Sequence, residues 1–98
     1  MRKVTQQITE AFKNKKARAV GATTTDGNSI FLHGNEIIRR KPNGEVIFTF
    51  AGWQSTTTKE RISSIFHINF KKGEIVLNGR QVIDADKWYN EKGVEQKV

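Results

Sequence analysis

Two halves of the chain meet at the stretch Ala51-Gly52-Trp53-Gln54-Ser55-Thr56-Thr57-Thr58-Lys59-Glu60-Arg61-Ile62. Thr57 and Glu60 have the spacing of a capping box, in which each side chain accepts a hydrogen bond from the backbone N–H of the other residue. Behind this cap, one apolar helical face is formed by Ile62, Ile65 and Phe66. The stretch therefore predicts a helix near residues 58–66, which can cover a sheet.

Upstream of this helix, strand-forming runs alternate with turn signals. Apolar residues at helical spacing predict an N-terminal helix over residues 4–16. After it we expect four strands, at Ala19–Thr25, Ser29–His33, Glu36–Arg40 and Glu45–Ala51. The expected turns are Asp26-Gly27, Gly34-Asn35 and Lys41-Pro42-Asn43-Gly44. The last of these strands is largely apolar on both faces, which places it in the interior of the sheet.

Downstream of the helix, the sequence predicts three more strands, at His67–Lys71, Glu74–Asn78 and Arg80–Ile83. Residues 84–89 leave two interpretations open: Asp84 caps a short helix, or Trp88 and Tyr89 belong to an edge strand. The short connections require antiparallel pairing, because a parallel crossover needs about a dozen residues or more. The predicted fold class is therefore α+β, an antiparallel β-meander of about six to seven short strands with two helices.

The length and composition exclude several classes of protein. The chain has 98 residues, which predicts one domain over 1–98 with frayed ends at 1–3 and 90–98. It contains no cysteine, which excludes disulfides, cysteine-based zinc sites and thiol nucleophiles. No apolar run approaches the roughly 18 residues of a membrane-spanning helix, and Met1–Gln7 lacks the apolar core of a signal peptide. We therefore expect a soluble cytoplasmic protein without a membrane partner.

The charge is strongly positive. The net charge is +7, from 17 Lys and Arg residues against 10 Asp and Glu residues, which favours a polyanionic partner but also serves solubility alone. Candidate phosphate-binding residues are Lys15, Lys16 and Arg18, then Arg39, Arg40 and Lys41, then Thr57, Thr58, Lys59 and Arg61. Each group also has a structural explanation: offsetting a helix dipole, protecting a strand edge, and capping a helix, respectively.

Residues typical of catalysis do not form a complete set. His33 and His67 have no third histidine or cysteine that would complete a metal site. Ser29, His33 and Asp26 lie near one hairpin but have no oxyanion element. Asp84-Ala85-Asp86-Lys87 is similar to the acid-x-Lys end of a nuclease site, but the same residues are explained by helix capping. We therefore expect no enzymatic activity, no cofactor and no metal ion.

Three segments carry a resemblance to a group of proteins. They are Leu32-His33-Gly34-Asn35-Glu36-Ile37, then Gly52-Trp53-Gln54-Ser55-Thr56-Thr57-Thr58-Lys59-Glu60-Arg61-Ile62, then Leu77-Asn78-Gly79. From about Gly21 to Trp88 the chain resembles small bacteriophage proteins with an LHGN-type hairpin and a GWxTxTTKxR-type helix start. Ser55 departs from that pattern, which has Thr at this position. The resemblance implies a phage origin and a setting in the bacterial host cytoplasm, and it transfers neither an activity nor a site residue.

These observations favour a binding protein over an enzyme. The first hypothesis is a non-enzymatic phage accessory protein that binds nucleic acid or a phosphate-bearing nucleotide through its Lys and Arg residues and through the helix start at Gly52–Lys59, where a glycine, a row of hydroxyls and a helix N-terminus can form an anion cradle. The alternative is a protein-binding modulator that holds a host or anti-phage defence protein by a sheet edge or a charged face.

Overall fold

A computed structural model describes residues 2–98, and over these residues the chain forms two helices and ten strands. The helices are α1 (Lys3–Lys13) and α2 (Thr56–Ile62). The strands before α2 are β1 (Arg18–Val20), β2 (Thr23–Thr25), β3 (Ser29–Leu32), β4 (Asn35–Arg40) and β5 (Val46–Phe48). The strands after α2 are β6 (Ile68–Lys71), β7 (Glu74–Leu77), β8 (Gln81–Ile83), β9 (Trp88–Asn90) and β10 (Glu95–Gln96).

The strands form two antiparallel sheets, which confirms the α+β class. The large sheet has seven strands in the order β1-β2-β3-β4-β5-β9-β10, and the small sheet has three in the order β6-β7-β8. The interior position predicted for the strand at Glu45–Ala51 is confirmed, because β5, which covers only Val46–Phe48 of that run, lies between β4 and β9. Ile47 and Phe48 on its two faces are both fully buried. The separate small sheet was not predicted.

The core lies between one face of the large sheet and the elements that cover it. Ile30, Ile38, Phe48 and Tyr89 are cross-strand partners in one row, so their side chains share this face. Buried residues of the covering elements are Ile8 and Phe12 of α1, Ile62 of α2, and Ile75 and Leu77 of β7. The Phe48 and Phe66 rings pack with centroids 4.5 Å apart, which joins the end of the α2 segment to the sheet.

Two turns differ from the prediction. The segment Ala19–Thr25 is not one strand: it folds back at Gly21, so that Val20 pairs with Thr23. Gly21 has φ +61°, which glycine adopts without steric cost. The β3–β4 hairpin turns at His33-Gly34 and not at Gly34-Asn35, with φ of +52° and +81° as a type I′ turn requires.

Both helices are shorter than predicted, and the capping box is wrong. α1 ends at Lys13 and not at residue 16. α2 starts at Thr56 because Ser55 is the N-cap, with its Oγ accepting a hydrogen bond from the Thr58 N–H at 3.0 Å. The Glu60 carboxylate accepts from the Thr5 hydroxyl and the Arg61 guanidinium, so it is directed towards α1.

The C-terminal part of the chain belongs to the large sheet. Of the two interpretations of residues 84–89, the strand is confirmed, although β9 lies inside the sheet between β5 and β10 and not at its edge. The tail from Asn90, predicted to fray, contributes β10. The Asn90 Oδ1 accepts from the N–H groups of Lys92 and Val94 and so closes the β9–β10 turn. At the other predicted frayed end, Lys3 already belongs to α1, and Met1 lies outside the described residues.

Arg61 joins three elements of the fold. Its side chain is only 7% exposed; Nε donates to Thr23 Oγ1 of β2 at 3.1 Å, and Nη1 donates to Thr5 Oγ1 of α1 at 2.7 Å and to Glu60 Oε1 at 2.8 Å. Burial works to raise the pKa of Glu60, but hydrogen bonds from Thr5, the Arg2 backbone and Arg61 outweigh it and lower that pKa. Arg61, a predicted phosphate ligand, is therefore committed to the interior.

We expect Arg61→Met to lower the free energy of unfolding by about 3 kcal/mol or more, because it leaves the partners of a buried, hydrogen-bonded charge unsatisfied. Urea unfolding followed by circular dichroism measures this change. Lys59→Met on the same helix is the control; Lys59 lies 5.5 Å from the centroid of the Phe70 ring, and its loss should cost about 1 kcal/mol or less. Equal stability of the Arg61→Met variant and the native protein would contradict this role.

Candidate functional site

The C-terminal end of α1 presents basic side chains at the surface. The Lys15 N–H donates to Phe12 O at 3.1 Å and the Lys16 N–H to Ala11 O at 2.8 Å, the hydrogen bonds of a Schellman motif. Lys15 occupies the left-handed position of this motif, at φ +56°, where glycine is usual. The helix therefore ends with Lys15 and Lys16 exposed, and exposed Arg18 follows them at the start of β1.

The turn between β2 and β3 lies directly against this helix end. A Cβ on Gly27, whose φ is +98°, would come within 2.8 Å of the Lys15 backbone, so the approach requires glycine. Arg40 joins the same two segments: Nη1 donates to Gly27 O at 2.5 Å and Nη2 to Phe12 O at 2.8 Å. Its guanidinium also lies 4.2 Å from the centroid of the Phe12 ring. Arg40 thus holds the end of α1 against the sheet.

An open groove of about 330 Å³ lies where the end of α1 meets the β2–β3 turn. We call it the basic groove; it is lined by Lys15, Asn28, Arg40, Lys41, Pro42 and Gly44. Residues from the helix end, the β2–β3 turn and the β4–β5 turn therefore meet there. The predicted β-turn at Lys41–Gly44 is confirmed by the Gly44 N–H, which donates to Lys41 O at 2.8 Å.

The groove is electrostatically positive. No acidic side chain lines it, and over residues 2–98 Lys15, Lys16, Arg18 and Arg40 form no ion pair. Two of the five N–H donors of Arg40 bind carbonyl oxygens, and the other three have no hydrogen-bond partner within residues 2–98. Lys41 is partly neutralised by Glu45, at 3.1 Å, and its Nζ also contacts Gln96 Oε1. Such a set of donors suits a phosphate or another oxyanion.

The other predicted site residues lie elsewhere. Thr58 is buried under the Ser55 cap and Arg61 is buried, so the start of α2 is not an open anion cradle. Lys59 lies over Phe70 of the small sheet, and Thr57 lines a different cavity. Of the predicted run Arg39-Arg40-Lys41, only Arg40 and Lys41 line the basic groove. Arg39 is separated from Arg40 because consecutive residues of a strand point to opposite faces.

Arg39 belongs to a cluster on the face of the large sheet opposite the core row. It donates to both carboxylate oxygens of Glu36, at 3.0 and 2.5 Å, and lies 4.8 Å from the centroid of the Trp88 ring. Glu36 also accepts from Ser29 Oγ at 2.5 Å. The hydrogen bond from Arg39 lowers the pKa of Glu36, burial opposes this, and the hydrogen bond from Ser29 lowers it further.

The residues considered for catalysis are not arranged as a catalytic site. Ser29 Oγ donates to Glu36, and Asp26 Oδ1 accepts from the Asn28 and Ser29 N–H groups, so Ser29, His33 and Asp26 do not form a triad. Those backbone hydrogen bonds lower the pKa of Asp26. In the part of the chain from residue 2 onwards, no cluster of three His, Asp or Glu residues suits a metal ion.

Some lining residues of the two cavities were not predicted from the sequence, because they approach the other lining residues only in the folded chain. Asn28 lines the basic groove. The Asp26-Gly27 turn signal could have indicated a close backbone contact at Gly27, which the structure shows with Lys15. The segments Leu32–Ile37 and Gly52–Ile62 were noted separately, but residues of both line one cavity. That both segments carry the family resemblance was a signal that they could lie together in the fold.

The fold and the basic groove define a small α+β protein with a cationic surface site. Residues 1–96 match the family described as Kyanoviridae Gp96 protein, and the chain belongs to this family of phage proteins. No curated protein and no solved structure matches the chain. Within residues 2–98, no helix has the length and apolar character needed to cross a bilayer. The family confirms the phage origin that the resemblance implied.

The Glu36 cluster predicts acid sensitivity. A carboxylate whose pKa is lowered by folding contributes stability above its unfolded pKa of 4.5, and this is lost as the pH falls through the lower folded value. Glu36→Gln should therefore lower the unfolding temperature at about pH 7, and its difference from the native protein should shrink towards about pH 3. Thermal melts across this range measure the effect. Glu74 is an exposed residue of β7 and forms no ion pair within residues 2–98. The difference between Glu74→Gln and the native protein should therefore not change with pH in this way.

Proposed function

We propose that this phage protein is a non-enzymatic accessory protein that binds nucleic acid or a phosphate-bearing nucleotide in the host cytoplasm, through the basic groove. The observation that carries the proposal is the convergence of three separate segments on one groove that has Lys15, Arg40 and Lys41 in its wall and no acidic side chain. Phosphate oxygens are among the ligands that Arg and Lys bind most strongly.

Neighbouring residues extend the positive surface. Lys16 and Arg18 are exposed next to the groove in sequence, so a polyphosphate ligand has several cations to contact. The same cations also offset the dipole at the end of α1. This structural role does not compete with binding, because the charged heads of Lys15, Lys16 and Arg18 have no acidic partner over residues 2–98.

Salt dependence tests the proposal. We expect the affinity for a labelled oligonucleotide, measured by fluorescence anisotropy, to fall log-linearly between about 50 and 200 mM NaCl, because each neutralised phosphate releases counterions. Replacing Lys15, Lys16 and Arg18 with Gln should weaken binding and reduce the slope by about 2 to 3, at about 0.7 to 0.9 per phosphate contact. Nucleoside triphosphate as competitor separates a nucleotide ligand from a polymer.

The control removes the same charge from another surface. Lys71, Lys72 and Arg80, at the turns of the small sheet, are exposed and form none of the ion pairs of residues 2–98, so their replacement with Gln also removes three positive charges. If both triple variants lose the same affinity, binding depends on net charge and not on the groove. If neither nucleic acid nor nucleotide binds, but one host protein is retained after nuclease treatment, the protein-binding alternative replaces this proposal.

A further inference from the structure

A second cavity, of about 200 Å³, lies between the β3–β4 turn and the segment that leads into α2, and it shares no lining residue with the basic groove. We call it the Trp53 cavity. Leu32, Ile37 and Phe50 contribute buried apolar side chains to it. Trp53 also lines it and is 69% exposed, the highest value among the exposed large hydrophobic residues of the described chain. The cavity therefore combines an apolar interior with an accessible indole.

The polar lining of the cavity is partly unpaired. Ser55 and Thr58 are satisfied by each other, with their hydroxyl oxygens 2.7 Å apart. The side chains of His33 and Asn35 are exposed and that of Thr57 is half-buried, and none of the three makes a hydrogen bond within residues 2–98. No Lys, Arg, Asp or Glu lines the cavity. A ligand that suits this lining is uncharged, with apolar faces and polar groups along its edge.

The backbone around Trp53 is anchored. The Gly52 N–H donates to Ala85 O at 2.8 Å, the Trp53 N–H to Phe50 O at 3.0 Å, and the Gln54 side chain to Gly73 O at 2.8 Å. The exposure of Trp53 is therefore not that of a loose loop. Because this segment is already ordered, a ligand that binds in the cavity pays a smaller entropic cost for ordering it.

We propose that the Trp53 cavity binds one unpaired nucleobase, with Trp53 available for stacking and Asn35, His33 and Thr57 available for the base edge. Unpaired bases are recognised by aromatic stacking and by hydrogen bonds along their edges. The cavity is smaller than the roughly 300–1,000 Å³ of sites for drug-sized ligands, which favours a single flat ring system over a whole nucleotide.

The inference rests on the proposed function and narrows it to single-stranded nucleic acid. Asn35 begins β4 and Arg40 ends it, so the cavity and the basic groove lie near opposite ends of this strand. Five strand steps correspond to roughly 17 Å. A mononucleotide is too short to fill both sites, whereas a single-stranded oligonucleotide can reach from one to the other.

Neutral nucleosides test the cavity independently of the groove, because they carry no phosphate. In an NMR titration of ¹⁵N-labelled protein with adenosine, cytidine, guanosine and uridine, at least one should shift the Gly34 and Gly52 amide signals saturably. The signals of Gly44, in the groove, and Gly79 should stay unchanged. Ribose 5-phosphate, which has no base, should not shift the Gly34 and Gly52 signals.

Variants connect the shifts to side chains. Trp53→Ala should weaken nucleoside binding about tenfold, the loss expected for one stacked base, and Trp53→Phe should recover most of it. Asn35→Ala should weaken binding with a changed preference among the four bases. Val82→Ala, which removes another exposed apolar side chain, 55% exposed, should leave the affinity unchanged.

Three results would overturn the inference: no nucleoside shifts the cavity signals; Trp53→Ala binds nucleosides as tightly as the native protein; or N-acetylphenylalanine amide fills the cavity and no nucleoside does. The last result assigns the cavity to a side chain of a protein partner. A failure here with salt-dependent oligonucleotide binding intact leaves the groove proposal standing. Loss of oligonucleotide binding with intact nucleoside shifts removes the groove alone.

Discussion

The buried guanidinium of Arg61 sets the arrangement of α1, β2 and α2 together. Removing a charge from water is costly unless its donors find partners, and here Thr5, Thr23 and Glu60, from three elements, accept three of the five N–H donors of Arg61. A shift of any one element would leave a buried donor unsatisfied. These hydrogen bonds are directional, so they fix the relative positions of α1, β2 and α2 more sharply than the non-directional apolar contacts of the core do.

A second arginine completes the placement of α1. Arg61 holds the helix near its start through Thr5, and Arg40 holds its end through the carbonyl of Phe12. The Arg40 contact also fixes the close approach of Gly27 to Lys15. Both arginines were candidate phosphate ligands, and both prove to organise the fold. Arg40 also lines the basic groove, so one residue serves both the fold and the proposed site.

The proposed binding surface follows from β4 and its neighbours. This strand leads from Asn35, which lines the Trp53 cavity, to Arg40, which lines the basic groove. The apolar cavity with an exposed indole and the positive groove differ in chemistry in the way that the bases and the phosphates of a single strand differ. The two proposals thus describe complementary parts of one ligand while depending on separate residues.

Local sequence determined much of the architecture. Short connections rich in Gly, Asn and Pro impose antiparallel pairing wherever they occur, and the run Glu45–Ala51, apolar on both faces, belongs inside a sheet in any arrangement. The excess of positive charge and the absence of cysteine were equally visible. Local rules were weaker where alternatives nearly balance: Ser55 and Thr57 both suit an N-cap, and in the fold Ser55 caps the helix while Glu60 contacts Thr5 of α1.

By itself, then, the sequence determined the fold class, the interior strand and the sign of the surface charge, because these depend on composition and on neighbours a few residues apart. Only the tertiary structure decided which cations remain at the surface. Arg61 became buried, Arg39 was neutralised by Glu36, and Arg40 met Lys15 in the groove. Arg61 meets Thr5 across 56 residues of the chain and Thr23 across 38, where α1 and β2 pack against α2. Arg39 meets Glu36 three residues away within β4, where the register of β3 and β4 shifts.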